Sequence, residues 1–201
     1  VGRLLGGTPA VFVASAVNNS AIVTDVFAWR NDRFSNISYS RDSDTSVQTL
    51  RNYYVYAEDI DGDGVMELPS LITMKRVFPE QEGKQKFLIR WFAMDLEGRE
   101  MDKFFTFHNY LGGWYMQLAS SWAPRVSVEQ EGGRYTFYVW DEDYREASDV
   151  FSIYVLTGGS REEDATVDGR FAFYRAEGVV YAAKLEANAA EFGITENQLI
   201  N

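Results

Sequence analysis

Between residues 59 and 67 the chain reads Asp59-Ile60-Asp61-Gly62-Asp63-Gly64-Val65-Met66-Glu67, which places carboxylates at loop positions 1, 3, 5 and 9. That is ligand chemistry for a hard divalent cation. Calcium takes about 6–8 oxygens at about 2.3–2.6 Å, and a tight loop that turns alternate side chains inward can supply them. Gly64 stands at the sixth position, where such a loop bends sharply, and Val65 at the seventh, where a main-chain carbonyl adds a ligand. An EF-hand would also need a bidentate Glu at position 12. Here that position is Ser70, Pro69 precedes it, and the flanks read as strand rather than helix. The competing reading is a plain acidic β-turn, since Asp and Gly together also favour turns.

Over the same residues the sequence resembles the calcium loops of FG-GAP or VCBS repeats, in which D-x-D-G-D-G-x-x-[DE] leads into a strand of a propeller blade. The resemblance implies Asp59, Asp61, Asp63 and Glu67 as side-chain ligands of a structural Ca2+, with Val65 giving its carbonyl. It also implies a blade-like segment over about residues 1–76. Residues 2–13 can be laid against 58–69 at an offset of about 56. In that upstream copy Arg3, Leu5 and Gly7 stand where carboxylates would be required, so it is expected to bind nothing.

Other catalytic chemistry finds little purchase. Cysteine is absent and His108 is the one histidine, so thiol nucleophiles and thiolate metal sites are excluded, and any His-based triad would depend on that residue. His108 lies where a hairpin should end. Phosphate-loop, nucleophile-elbow and zinc-protease motifs are missing, and the Gly-Gly pairs suit turns. Asp141 and Glu142 are the place to look for a paired-carboxylate glycan hydrolase. They sit, however, in a stretch from Asp141 to Asp168 with nine acidic and two basic residues, which reads as a solvated face. Trp114, Tyr115, Trp122 and Trp140 invite a sugar-stacking surface, yet aromatics in strands usually fill a core.

These residues must be held by β structure. Alternating and aromatic-rich runs predict strands at 10–15, 21–29, 53–56, 86–94, 101–107, 114–118, 125–128, 135–140 and 150–158, and a hairpin with arms 171–174 and 179–183 about Gly178. Asn31-Asp32 and Glu97-Gly98 are predicted turns. Helical signals are few: 186–192 with Gly193 as its C-cap, a start at 195–198, and short stretches at 143–149 and 161–167. The fold class is therefore α+β and predominantly antiparallel: a β-meander over 1–80, which the resemblance above implies to be propeller-blade-like, then an α+β domain over 81–201. From about residue 86, Gly113 to Leu118, Ser121-Trp122 and Arg125 to Val128 resemble the opening of PsbP-like sandwiches, a mostly non-catalytic family.

The 201 residues carry 19 Lys and Arg against 30 Asp and Glu, a formal charge of −11. A field of that sign repels phosphate backbones and anionic headgroups, so nucleic acid is a poor partner. The expectation is a non-catalytic binding or structural module, stabilised by calcium, of a secreted or lipid-anchored bacterial surface protein. Its ligand would be a surface glycan or protein, and any membrane attachment would come through a lipid anchor outside this segment. Extracellular calcium fills weak sites of about 10⁻⁴–10⁻³ M that a resting cytosol would leave empty.

Overall fold

The computed structural model describes every residue except Asn19, Gln81, Glu82, Lys84, Leu111 and Asn201. In chain order the strands are β1 (Gly2–Arg3), β2 (Pro9–Val17), β3 (Ala21–Arg30), β4 (Arg33–Asn36), β5 (Leu68–Thr73), β6 (Phe87–Met94), β7 (Glu100–Asn109), β8 (Trp114–Leu118), β9 (Val126–Glu131), β10 (Arg134–Trp140), β11 (Ala147–Thr157), β12 (Phe171–Ala176) and β13 (Val179–Leu185). Helices are α1 (Arg161–Asp164) and α2 (Glu196–Ile200), with single 3-10 turns at Val47–Thr49, Ala123–Arg125 and Ala189–Phe192. Strand makes up 49% and helix 10%, about twice the strand content of an ordinary globular domain. The predicted antiparallel β character holds.

The chain forms two compact units that interleave in sequence. One comprises Val1–Ile72 and Phe87–Ser120, the other Thr73–Lys86 and Ser121–Asn201. Residues 87–120, grouped by the sequence reading with the segment after residue 80, thus lie in the same unit as the acidic loop. The reason is pairing: β6 and β7 form a sheet with β5, which follows the loop directly.

The first unit holds two four-stranded antiparallel sheets, each in consecutive order, β1-β2-β3-β4 and β5-β6-β7-β8. Tight turns make this order possible. Asn31 and Asp32 both adopt positive φ, at 51° and 60°, the conformation that matches the twist of a two-residue hairpin. One core cluster joins Leu4, Ala10, Val26 and Ala28 of the first sheet and its turn to Leu68, Phe92 and Met94 of the second. Another gathers Val55, Ile89, Trp91 and Phe104.

Tyr53–Tyr56 are not a strand, although their aromatic and β-branched composition predicts one. The Val55 carbonyl that a ladder would use accepts instead from the Arg51 Nε–H at 2.5 Å. The Arg51 guanidinium is buried, and its Nη1 also donates to the Thr49 carbonyl at 2.7 Å and to Thr24 Oγ1 at 3.1 Å. A side chain thereby takes over the task of backbone pairing.

The second unit is built on an antiparallel sheet in the order β12-β13-β11-β10-β9. Phe137 and Phe151 stack at its centre, ring centroids 4.3 Å apart, with Trp122 edge-on to Phe151. Three local expectations fail here. Residues 141–146 make a turn closed by the Asp141 N–H donating to the Glu146 carbonyl at 2.9 Å, and β11 begins at Ala147 rather than after a helical stretch. The predicted helix at 186–192 shrinks to one 3-10 turn, because the Glu186 N–H donates to the Val150 carbonyl and prolongs the strand ladder. The stretch 161–167 is helical only over Arg161–Asp164. Gly193 caps the 3-10 turn in the left-handed conformation, as expected.

Candidate metal centre

The loop begins and ends in a single antiparallel bridge. The Glu58 N–H donates to the Glu67 carbonyl at 3.1 Å and the Glu67 N–H to the Glu58 carbonyl at 2.9 Å. The Met66 N–H also donates to the Arg3 carbonyl at 2.9 Å, which ties the loop's exit to β1. Between these anchors the chain turns back on itself through Gly62 and Gly64, with φ of 75° and 86°. Both angles lie where a Cβ would introduce strain, which accounts for glycine at these two positions.

Local hydrogen bonds draw the loop's carboxylates inward. Asp61 Oδ1 accepts from the Asp63 N–H at 3.1 Å, Asp63 Oδ1 from the Val65 N–H at 2.8 Å, and Asp59 Oδ2 from the Gly64 N–H at 3.0 Å. The Ile60 N–H reaches Glu67 Oε2 at 3.3 Å. One carboxylate oxygen each of Asp59, Asp61 and Glu67 fall within 4.8 Å of one another. An ion with calcium–oxygen distances of about 2.4 Å places opposite ligands about 4.8 Å apart, so a single calcium can span this group.

Two oxygens in the cluster stand out. Asp59 Oδ1 and Glu67 Oε1 are both buried and accept no hydrogen bond from the described residues, and the Glu67 side chain is wholly inaccessible. An unsatisfied buried acceptor costs about 1–3 kcal/mol, and more when charged. Burial first, and the nearby Asp61 carboxylate second, push the Glu67 carboxyl up to about 7.

Asp63 is held apart from the other three. Its carboxylate forms an ion pair with Lys103 of β7, which also lies 3.6 Å from Asp61 Oδ2 and 3.9 Å from Glu67 Oε1. That hydrogen bond lowers the Asp63 carboxyl below its ordinary value and raises the Lys103 ammonium. Lys103 comes to the site through a β-bulge. Trp91 pairs with Phe104 and Phe92 with Asp102, leaving Lys103 as the extra residue on β7. Bulges recur where a strand must re-aim a side chain. The sequence reading missed Lys103, which lies 40 positions from Asp63. The one local sign is a loss of alternation after it, since Phe104, Phe105, Thr106 and Phe107 are all buried.

The remaining candidates do not converge on a second centre. Asp141 and Glu142 lie on an exposed turn, where Asp141 Oδ1 accepts from the Arg145 N–H at 2.7 Å. His108, near the end of β7, stacks on Tyr115 at 5.1 Å and lies beside Tyr110 and Trp91. Burial pushes its imidazole down to about 4, so it is neutral near pH 7. Its Nε2 lies 2.8 Å from Thr106 Oγ1, which accepts from the Trp91 indole N–H at the same distance. The buried Thr106 hydroxyl needs an acceptor, and a His108 protonated on Nδ1 offers one at Nε2. Trp122 and Trp140 are buried and Trp114 is half-buried, so of the four aromatics singled out for sugar stacking only Tyr115 is exposed. Compared with protein-family models, curated proteins and solved structures, the chain matches none.

Proposed function

We propose that the 59–67 loop is a structural calcium site of FG-GAP or VCBS type. On this reading the chain is a non-catalytic, extracytoplasmic binding or structural module of a bacterial surface protein, which calcium makes rigid. Asp59, Asp61, Asp63 and Glu67 would hold the ion with side-chain oxygens and Val65 with its carbonyl. The carrying observation is the pair of buried acceptors, Asp59 Oδ1 and Glu67 Oε1, that find no donor among the described residues. A plain acidic turn gains nothing by burying a carboxylate oxygen without a partner. A divalent cation would satisfy both at once, and its binding energy would then add to folding stability.

The architecture supports the repeat reading. The loop leads directly into β5, first strand of a four-stranded meander, and the first sheet has the same consecutive order. The β1–β2 turn, with Gly6 at φ 82°, leads into β2 much as the loop, with Gly62 at φ 75°, leads into β5, although that turn lies within the first sheet and the loop precedes the second. A ligand set drawn from one short protein loop gives the ion a fastening role. The ligand of the module is a surface glycan or protein.

Equilibrium dialysis against calcium tests the reading. One calcium per chain is expected, retained in excess magnesium and lost in Asp61→Asn. Binding of no calcium, or binding unaffected by that substitution, would overturn it.

A further inference from the structure

Lys103 raises a question that the calcium reading alone leaves open. Its ammonium lies within 4 Å of carboxylate oxygens of Asp61, Asp63 and Glu67, three of the four acidic side chains assigned to the ion. The adjacent Asp102 is taken by a different cation, Arg90, which also holds Glu100 at 2.8 Å. Lys103 is directed at the loop by a bulge in which it alone has no cross-strand partner. As a cation for this cluster it is incomplete. Among the described residues it leaves Asp59 Oδ1 and Glu67 Oε1 without a donor, since its ammonium stands 3.9 Å from Glu67 Oε1, too far for a hydrogen bond, whereas calcium coordinates about 6–8 oxygens.

We propose that Lys103 is a tethered cation that occupies the carboxylate cluster in the calcium-free protein and is displaced from it by calcium, thereby setting the affinity of the site. This inference rests on the calcium reading above. With the ammonium in place, four neighbouring carboxylates are partly neutralised and the empty loop stays folded. Binding calcium must break the Asp63–Lys103 pair and bring two positive centres close together, so the lysine weakens the site. Ligand charge count and rigidity tune such loops over many orders of magnitude, and a resident ammonium moves this one toward the weak, extracellular range. The lysine therefore trades affinity for stability of the calcium-free form.

The test compares wild type with Lys103→Met by calcium titration calorimetry and by melting in EDTA. Removing one positive charge beside a divalent ion should tighten calcium binding at least about tenfold, and the variant should melt below wild type in EDTA but not in saturating calcium. Equal affinity in the two proteins would overturn this inference and leave the calcium reading intact. Binding by neither would overturn both. Binding by the variant alone would overturn both the displacement and the calcium reading, and leave a site permanently filled by lysine. A second measurement needs no variant. Acetylation of Lys103 in the wild-type protein, read by mass spectrometry, should run at least about fivefold faster in calcium than in EDTA, since displacement exposes the amine and removes its ion pairs. Protection that is unchanged or increased by calcium would overturn the displacement.

Discussion

Lys103 Nζ lies 3.9 Å from Glu67 Oε1, a wholly buried carboxylate oxygen with no hydrogen-bond donor. The distance is too long for a hydrogen bond, so this ammonium moderates the charge on Glu67 without satisfying it. The behaviour of the loop follows from this unmet acceptor.

Glu67 makes the calcium-free protein less stable as the pH rises. Its carboxyl titrates near 4.5 in the unfolded chain and near 7 in the folded one, so between those values the folded state binds more protons and stability falls with pH. The full shift corresponds to roughly 3 kcal/mol. Calcium requires the ionised form, so its affinity should climb over the same window, with release of a proton on binding below pH 7. Glu67→Gln should flatten the decline in EDTA and abolish the calcium response. Melting curves from pH 4.5 to 8, with and without calcium, check both halves.

Asp61 separates an acidic turn from a cation site. Its carboxylate raises the Glu67 carboxyl by like-charge repulsion, so Asp61→Ala should change stability in EDTA by less than about 1 kcal/mol. In calcium the same variant should melt well below wild type. Equal melting in calcium would contradict a ligand role for Asp61.

His108 acts in the opposite sense to Glu67 at acid pH. Its imidazole titrates near 6.5 when unfolded and near 4 when folded. The unfolded chain therefore binds more protons in that range, and the stability His108 contributes is complete above pH 6.5 and lost as the pH falls toward 4. His108→Gln should lessen the acid sensitivity between pH 4 and 6.5 without altering calcium binding. Urea unfolding at pH 5 and at pH 8 would show whether the difference between wild type and variant shrinks at the lower pH.

Arg51 carries a structural load away from the acidic loop. Arg51→Met would orphan the Val55 and Thr49 carbonyls that the guanidinium serves, at a cost of about 2–4 kcal/mol. Arg51→Lys should recover little, since one ammonium cannot reproduce the fork geometry. Urea midpoints of the two variants test this, and calcium stoichiometry should stay at one per chain in both.

The loop was legible in the sequence because its parts are local. Gly62 and Gly64 take the left-handed backbone their type permits, and Asp59, Asp61 and Glu67 gather as their spacing implies. The strands were legible for a similar reason, from alternation and from turn residues such as Asn31-Asp32. Long-range competition was not legible. Tyr53–Tyr56 has strand composition, but the decision came from Arg51, whose guanidinium claimed a carbonyl of that segment. Residues 186–192 have helical composition, but β11 offered a carbonyl to Glu186 first. Lys103 could not be linked to Asp63 because the bulge that directs it depends on the pairing of β7 with β6.

The most direct measurement is the melting temperature of the wild-type chain titrated with calcium, against EDTA and with magnesium as the control. A cation that binds the folded state alone stabilises it by mass action, by about 2.7 kcal/mol at 100 times its dissociation constant. A rise of several degrees is expected that saturates with calcium, is larger at pH 8 than at pH 6, and is not reproduced by magnesium. A melting temperature indifferent to calcium would contradict it and leave 59–67 an acidic turn pinned by Lys103.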